Sequence, residues 1–288
     1  MLNPSLLWDG FFCCLGGCAV AESVDTEHWT HRLFVESPEL FLPFLEKAED
    51  RAESEVAELA RLLDAHDVPS GGRILDTACG IGRHALPLAR RGYGVTGFDI
   101  APLYVEQASR RAAAQPGDAE FFVGDVRDLG AQLAGRGPFD AIVNMFTSIG
   151  YYGRASDLAL FQGLGAMASS GAVMVVQTTN RDWLVQNFES EGVDIAGAYR
   201  ILQRRKLDPD RFTMRSDWGF YVGSGRSLRL RLQLELEHKL YSLEGLRGLM
   251  EEAGWEFVEG LGSQREDDLH LAELTSDMMD MWVVARWP

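Results

Sequence analysis

The sequence predicts an α/β fold, a mainly parallel sheet with helices on both faces and a late antiparallel insertion. Three observations carry this. Short apolar runs alternate with helix-length segments from Arg73 to Gln177, the order that builds βαβ units. The first two runs end in carboxylates, Asp76 and Asp99, and a two-glycine loop, Gly80-Ile81-Gly82, follows the first. Ser227 to Leu240 alternates apolar and polar residues almost without fault, the period of a half-buried strand.

Composition sets the outer bounds. With 288 residues and 46% apolar content the chain can bury a full core. A net charge of -16 argues against an extended nucleic-acid surface. The charge is uneven, with eleven Lys/Arg against six Asp/Glu between Tyr199 and Arg247, read as a solvated sheet face. Four cysteines, Cys13, Cys14, Cys18 and Cys79, suggest no disulfide framework, and a reducing, cytoplasmic setting is expected. Met1 to Val20 is apolar but lacks a basic start and carries Asp9, which argues against a secretory signal. No apolar run has the length of a membrane span. Residues 1–27 are expected to form a poorly ordered extension.

In chain order, apolar residues recur at helical spacing from Phe44 to about His66 (Leu45, Ala48, Ala52, Val56, Leu59, Leu63), an amphipathic helix. Val68-Pro69-Ser70-Gly71-Gly72 breaks the chain before the first strand, which ends near Asp76. A helix follows from about Gly82 to Arg91, with Pro87 near its first turn. Tyr93 to Phe98 is the second strand, and Pro102 opens a helix to about Ala114. The third strand, Glu120 to Val123, ends in Gly124-Asp125, and the fourth, Asp140 to Val143, runs into Asn144-Met145-Phe146. A helix from Ser156 to Ala168 precedes the fifth strand, Ala172 to Gln177. Asp76, Asp99, Asp125 and Asn144 all fall at carboxyl ends of strands, where such sheets bind ligands.

After Asn180 the pattern changes. A helical piece at Trp183 to Phe188 leads to three strand-like runs, Tyr199 to Leu207, Arg211 to Val222 and Ser227 to Leu240, separated by Asp208-Pro209-Asp210 and Gly223-Ser224-Gly225. They predict an antiparallel meander inserted into the parallel architecture. Ser242 caps a last helix ending at Gly254, and the strands Glu256 to Leu261 and Met279 to Trp287 close the chain.

Two glycines let backbone N–H groups approach a ligand closely, and a carboxylate after the second strand suits ribose hydroxyls. Gly80-Ile81-Gly82-Arg83-His84-Ala85 also fits a loose dinucleotide pattern, so an NAD-dependent oxidoreductase is one reading. Asp76 counts against it, because a carboxylate facing a pyrophosphate is a like-charge contact. A phosphate-free, cationic cofactor suits Asp76 better.

Asp76-x-Ala78-x-Gly80-x-Gly82 resembles motif I of the class I S-adenosylmethionine-dependent methyltransferases. Asp99 matches their ribose-binding acid, and Gly124-Asp125-Val126 the adenine-contacting end of their third strand. Cys79-Gly80-Ile81-Gly82-Arg83-His84, Gly124 to Leu129, Phe146-Thr147-Ser148-Ile149-Gly150-Tyr151 and Tyr241-Ser242-Leu243-Glu244 are similar to a small-molecule branch. The resemblance spans roughly Trp29 to the C-terminus, with Ala78 standing where many members have glycine. It implies a Rossmann-like methyltransferase fold with a mainly parallel seven-stranded sheet, an antiparallel β insertion after the fifth strand and an N-terminal helical cover. It implies S-adenosyl-L-methionine as cofactor, held by Asp76, Ala78, Cys79, Gly80, Gly82, Asp99, Ile100, Gly124, Asp125, Val126 and Asn144. In that scheme Asp76 orients the cofactor's amino group, Asp99 holds the ribose and Asp125 accepts from the adenine amino group. Residues 28–180 and 241–288 form the cofactor-binding domain, and 181–240 the insertion, a substrate cover or dimer contact.

Methyl transfer needs alignment and exclusion of water. Phe146, at the fourth strand's end, is placed to stabilise a cation with its ring, and Tyr151 and Tyr152 follow. Trp29 and Phe34 could close the pocket over a substrate. His238 shares the parity of the meander's leucines; a core histidine is the bland reading and a base the functional one. No metal cluster is apparent. A small-molecule acceptor is expected, nitrogen before oxygen because no confident base stands out, with no nucleic acid or membrane partner and a possible homodimer. A non-catalytic cofactor-binding interaction module is the remaining alternative.

Overall fold

The computed structural model describes residues 28–225, 227–263 and 269–288; the expected extension over 1–27 lies outside them. Apolar runs become strands where both faces can be covered. Five of these, β1 (Arg73–Thr77), β2 (Gly94–Asp99), β3 (Asp118–Val123), β4 (Phe139–Asn144) and β5 (Ala168–Thr179), pair in parallel. Four more, β6 (Glu191–Ala196), β7 (Tyr199–Asp208), β8 (Thr213–Ser224) and β9 (Ser227–Lys239), form a separate antiparallel sheet in sequence order. The chain then returns with β10 (Glu256–Ser263), β11 (Ala272–Glu273) and β12 (Asp280–Arg286).

The main sheet has the order β11-β10-β12-β5-β4-β1-β2-β3. Strand order reverses between β1 and β4, which places a binding crevice at their carboxyl ends. β12 enters antiparallel to β5. The expected seven strands are therefore eight, because the two-residue β11 adds to the edge. The insertion likewise has four strands where three runs were legible. β6 is a short edge strand, Glu-Gly-Val-Asp-Ile-Ala, without clean alternation.

Helices cover both faces. On one side α1 (Leu42–Ala48), α2 (Ala52–Ala65) and α3 (Ala85–Arg90) follow the N-terminal segment, and Val56, Leu59, Leu63 and Leu88 pack with Trp282 and Val284. α4 (Pro102–Ala113) packs by β2 and β3. After the short α5 (Leu129–Gln132), α6 (Arg154–Gly165) opposes α8 (Leu243–Glu252), α7 (Arg181–Gln186) lying between them in sequence. There Phe161, Leu164, Leu246, Leu249 and Trp255 fill the second core. The single helix read over 44–66 is broken by a tight turn at Glu49–Arg51. The break coincides with a long-range contact, the Ala48 carbonyl accepting from the Arg83 guanidinium at 3.1 Å. Among the described residues no helix is long and apolar enough to cross a membrane.

Candidate active site

β1 delivers Asp76 to the sheet's carboxyl edge, and the chain must then turn sharply. Ala78, Gly80 and Gly82 all take positive φ (55°, 55° and 78°). Gly82 is also required by packing, since a Cβ there would come within 3.1 Å of the Phe121 ring. Ala78 has no such licence and stores strain of about 1–2 kcal/mol. The turn is pinned by Asp99 at the end of β2, whose Oδ2 accepts from the Gly80 amide (2.8 Å) and Oδ1 from the Ala101 amide (2.9 Å). Burial pushes the Asp99 carboxyl up to about 6, against the pull of those amides.

Asp76 is 1% exposed, and its Oδ2 has no hydrogen-bond partner. Burial, with the nearby Asp99 charge, raises its carboxyl to about 7, while Arg83 opposes the rise. The Arg83 guanidinium bonds the Ala48 carbonyl and Glu55, lies 4.5 Å from the Phe146 ring centroid, and leaves one buried terminal nitrogen without a partner. His84 Nε2 donates to Glu55 at 2.8 Å. Burial and Arg83 depress His84 to about 4, so it is neutral at pH 7, and Glu55 is the carboxylate that balances Arg83.

Above this floor lies one cavity of about 940 Å³, between the loops at the sheet's carboxyl edge, the N-terminal segment and one face of the antiparallel sheet. It is lined by Ala78, Cys79, Gly80, Asp99, Ile100, Gly124, Asp125, Val126, Phe146, Tyr151, Tyr152, Trp29, Phe34 and His238. Three expected cofactor residues do not line it. Asp76 and Gly82 lie behind the loop, and Asn144 is fully buried, its amide donating to Thr77 Oγ1 (2.8 Å) to tie β4 to β1. Asn144 is thus a strand-linking residue here, not a wall of the pocket. Asp125 also differs from expectation, because Arg127 folds back on it. Oδ1 accepts from the Arg127 amide (2.8 Å) and Oδ2 from its guanidinium (2.6 Å), which holds the carboxyl below its usual value.

After β4 the chain makes two consecutive left-handed residues, Phe146 (φ 62°) and Thr147 (φ 61°), whose amides both donate to Gln177. One face of the Phe146 ring, expected to stabilise a cation at the reaction centre, is already taken by Arg83. His238 Nε2 donates to the Ile149 carbonyl at 2.8 Å, which leaves Nδ1 as the ring's acceptor. Burial lowers its pKa. Gly150 permits this fit: a Cβ would lie 2.9 Å from the His238 ring and 2.3 Å from the Lys239 carbonyl. Asp157 accepts from the Gly150 amide (3.1 Å) and from the Tyr241 hydroxyl (2.6 Å), and the Lys239 amide donates to Gly150 (2.8 Å). The N-terminal cover rests on aromatic contacts. Trp29 meets Tyr151 edge-on (4.9 Å), His28 meets Tyr152 (4.4 Å), and Thr30 bonds the Tyr152 hydroxyl (2.8 Å).

Sequence reasoning missed Arg83, Gln177, Gln203, Arg205, Ser216 and Trp218, all but Gln177 on the cavity wall. Ser216 and Trp218 share one face of β8 by strand alternation, but nothing in the sequence tells that this face closes a pocket. Among the described residues no cluster of three or more His, Cys, Asp or Glu could hold a metal ion.

Comparison with known proteins fixes the class. Residues 74–171 match the family model described as a methyltransferase domain. That match covers about a third of the chain, and the architecture around it is the Rossmann-like fold of the S-adenosylmethionine-dependent methyltransferases. It is similar to the magnesium-protoporphyrin O-methyltransferase of Rhodobacter capsulatus, 36% identical over 109 residues, 37% of this chain and 46% of that enzyme. The match spans less than half of that curated relative's length. Among solved structures, an S-adenosylmethionine-dependent methyltransferase from Clostridium acetobutylicum superposes with a TM-score of 0.66 at 12% identity, covering 83% of this chain and 91% of the other. An amino pentose methyltransferase from Micromonospora echinaspora, solved with S-adenosylmethionine bound, gives 0.59 at 21% identity, covering 85% and 97%. At these identities the superpositions speak for the fold.

Proposed function

We propose that the chain transfers a methyl group from S-adenosylmethionine to a small-molecule acceptor, nitrogen before oxygen. One observation carries the cofactor assignment. Two buried atoms of opposite polarity, Asp76 Oδ2 and a terminal nitrogen of Arg83, lack partners beneath the glycine loop. Such atoms are costly unless a ligand completes them. An amino-acid zwitterion brings one ammonium and one carboxylate: Arg83, on the cavity wall, can take the carboxylate, while Asp76, behind the loop, favours the ammonium by its charge rather than by contact; a pyrophosphate would meet a like charge there. Asp99, with an open side to the cavity, is the group for vicinal ribose hydroxyls. Gly124 and Val126 form the wall for the base, while Arg127 takes up much of the Asp125 carboxylate.

When bound, the cofactor supplies a methyl group already activated on a sulfonium sulfur. The protein's part is then alignment, exclusion of water and removal of one proton. Trp29, Phe34, Tyr151 and Tyr152 wall off solvent. Phe146 fixes Arg83 through its ring. His238 receives the acceptor's proton at Nδ1, because Nε2 is fixed as a donor to Ile149. A base weaker than an ordinary histidine is poorly matched to an alcohol and better matched to an ammonium, which supports nitrogen. The antiparallel sheet serves as the substrate cover, since one of its faces closes the cavity.

Thermal-shift measurements with S-adenosylhomocysteine and with NAD test this directly. Stabilisation by S-adenosylhomocysteine, weakened at least tenfold in apparent affinity by Asp99→Ala, is expected. Stabilisation by NAD alone would overturn the assignment.

A further inference from the structure

The cavity's far wall carries a cation that the fold itself does not balance. Arg205, on β7, lines the cavity. Its Nε and one terminal nitrogen donate to Gln203 Oε1 at 3.0 and 2.7 Å. Gln203 is in turn held through its amide by Asp194 of β6. Gly192, opposite on β6, has no side chain, and a Cβ there would stand 2.4 Å from the guanidinium. The arginine is therefore seated on bare backbone and oriented by a neutral amide. Among the described residues, no carboxylate forms an ion pair with it. Of the other cavity cations, Arg83 and Arg51 share Glu55, while Lys47 donates to the Ile195 carbonyl.

Register places the neighbours. Arg205 pairs with Ser216, and Gln203 pairs with Trp218. Ser216 pairs with Leu236, and Met214 with His238. All of these but Leu236 offer polar or polarisable groups to the same cavity, and the indole N–H of Trp218 is buried without a partner. His238 and Arg205 are thus two strands and one two-residue step apart on one face, with Cα atoms about 12 Å apart.

We infer that the acceptor is a small anion, its carboxylate or phosphate held by Arg205 and its reacting atom presented to His238. This rests on the methyltransferase reading and names the substrate class for it. Arg205 suits the task because its planar fork keeps two donors on Gln203 while the remaining N–H groups stay available for an oxyanion. Trp218 and Ser216 supply neutral donors beside it. A neutral acceptor would leave the buried indole N–H of Trp218 without a partner and the half-buried Arg205 only the Asp194 carboxylate beyond Gln203 to answer its charge.

The test uses the full chain, a small-molecule extract and S-adenosylmethionine labelled in its methyl group. Labelled product is run over an anion exchanger at alkaline pH, where amines are neutral and carboxylates and phosphates stay charged. Retained label is expected. Its release by phosphatase identifies a phosphate, and its persistence a carboxylate. Arg205→Met should raise KM for the purified acceptor at least tenfold with a smaller change in kcat, Arg205→Lys should recover part of the loss, and the S-adenosylhomocysteine thermal shift should stay at the wild-type value in both. Label in the unretained fraction, or an unchanged KM in Arg205→Met, overturns the inference. Failure of the wild-type protein to transfer any label overturns the methyltransferase reading instead, so the two failures are told apart.

Discussion

The two walls of the cavity are built on different principles. The wall at the sheet's carboxyl edge is made largely of main chain. It consists of turns at Ala78, Gly80, Phe146 and Thr147 with positive φ, pinned by Asp99 and Gln177. The opposite wall is made of side chains from alternate positions on a flat sheet face: Gln203, Arg205, Ser216, Trp218 and His238. A ligand of fixed identity can be gripped by backbone geometry, which substitutions scarcely alter. A ligand that differs between relatives is better met by side chains, each replaceable without disturbing the ladder beneath. On the proposed function, the first wall would serve cofactor recognition and the second acceptor recognition.

Mutations can break that division. The largest effect is expected at His238. His238→Asn should lower kcat by about 10²–10⁴-fold and leave S-adenosylhomocysteine affinity near wild type, measured by steady-state kinetics and calorimetry. A matching loss of cofactor affinity would mean that the walls are not separable. Next is Glu55→Gln, which leaves Arg83 buried without its carboxylate. Urea unfolding should show a loss of about 3–5 kcal/mol, placing support of the first wall in the tie from Glu55 of α2 to Arg83 at the end of the loop.

A third test is pH. Folded Asp76 has its carboxyl raised to about 7 from an ordinary 3.8. The fold therefore favours its protonated form, and this group's contribution to stability falls as pH rises from the unfolded value towards 7. A ligand ammonium favours the ionised form, so binding should release a proton below pH 7. The Kd for S-adenosylhomocysteine should tighten up to about tenfold per pH unit towards 7 and then level off. Calorimetry near pH 6 in buffers of different ionisation enthalpy reads the proton release. The smallest effect is Ala78→Gly. It relieves a left-handed alanine at the cost of a more flexible unfolded chain, with a net gain below about 1 kcal/mol.

The same contrast explains what the sequence disclosed. The Asp76 to Gly82 loop and Asp99 were legible because their roles are encoded locally, by a strand end and glycines at fixed spacing. So was the sheet, whose alternation of strand and helix leaves few topologies. The helix over 44–66 was misjudged at a break that coincides with a contact from Arg83, more than thirty residues on. Asn144 shared its position in the pattern with true pocket residues, yet its side chain turns into the strand pair. Arg205 reads as one of several exposed strand arginines, and only the pairing of β7 with β6 shows where it points. Alternation reveals that a strand has two faces; which face meets a cavity is a property of the whole fold.

Gly150 has a mechanical consequence. Its amide is tied through Asp157 to Tyr241, its carbonyl receives the Lys239 amide, and the His238 ring presses where its side chain would stand. The loop after β4 and the end of β9 are therefore welded, and they cannot part without breaking several buried bonds together. The opposite seam is built differently: the segment around Trp29 leans on Tyr151 and Tyr152 by ring contacts and a single hydroxyl pair. Beyond those contacts the segment is held by Leu33, buried with Ile201, Phe220 and Leu234, so one seam is tied by hydrogen bonds and the other by packed apolar side chains.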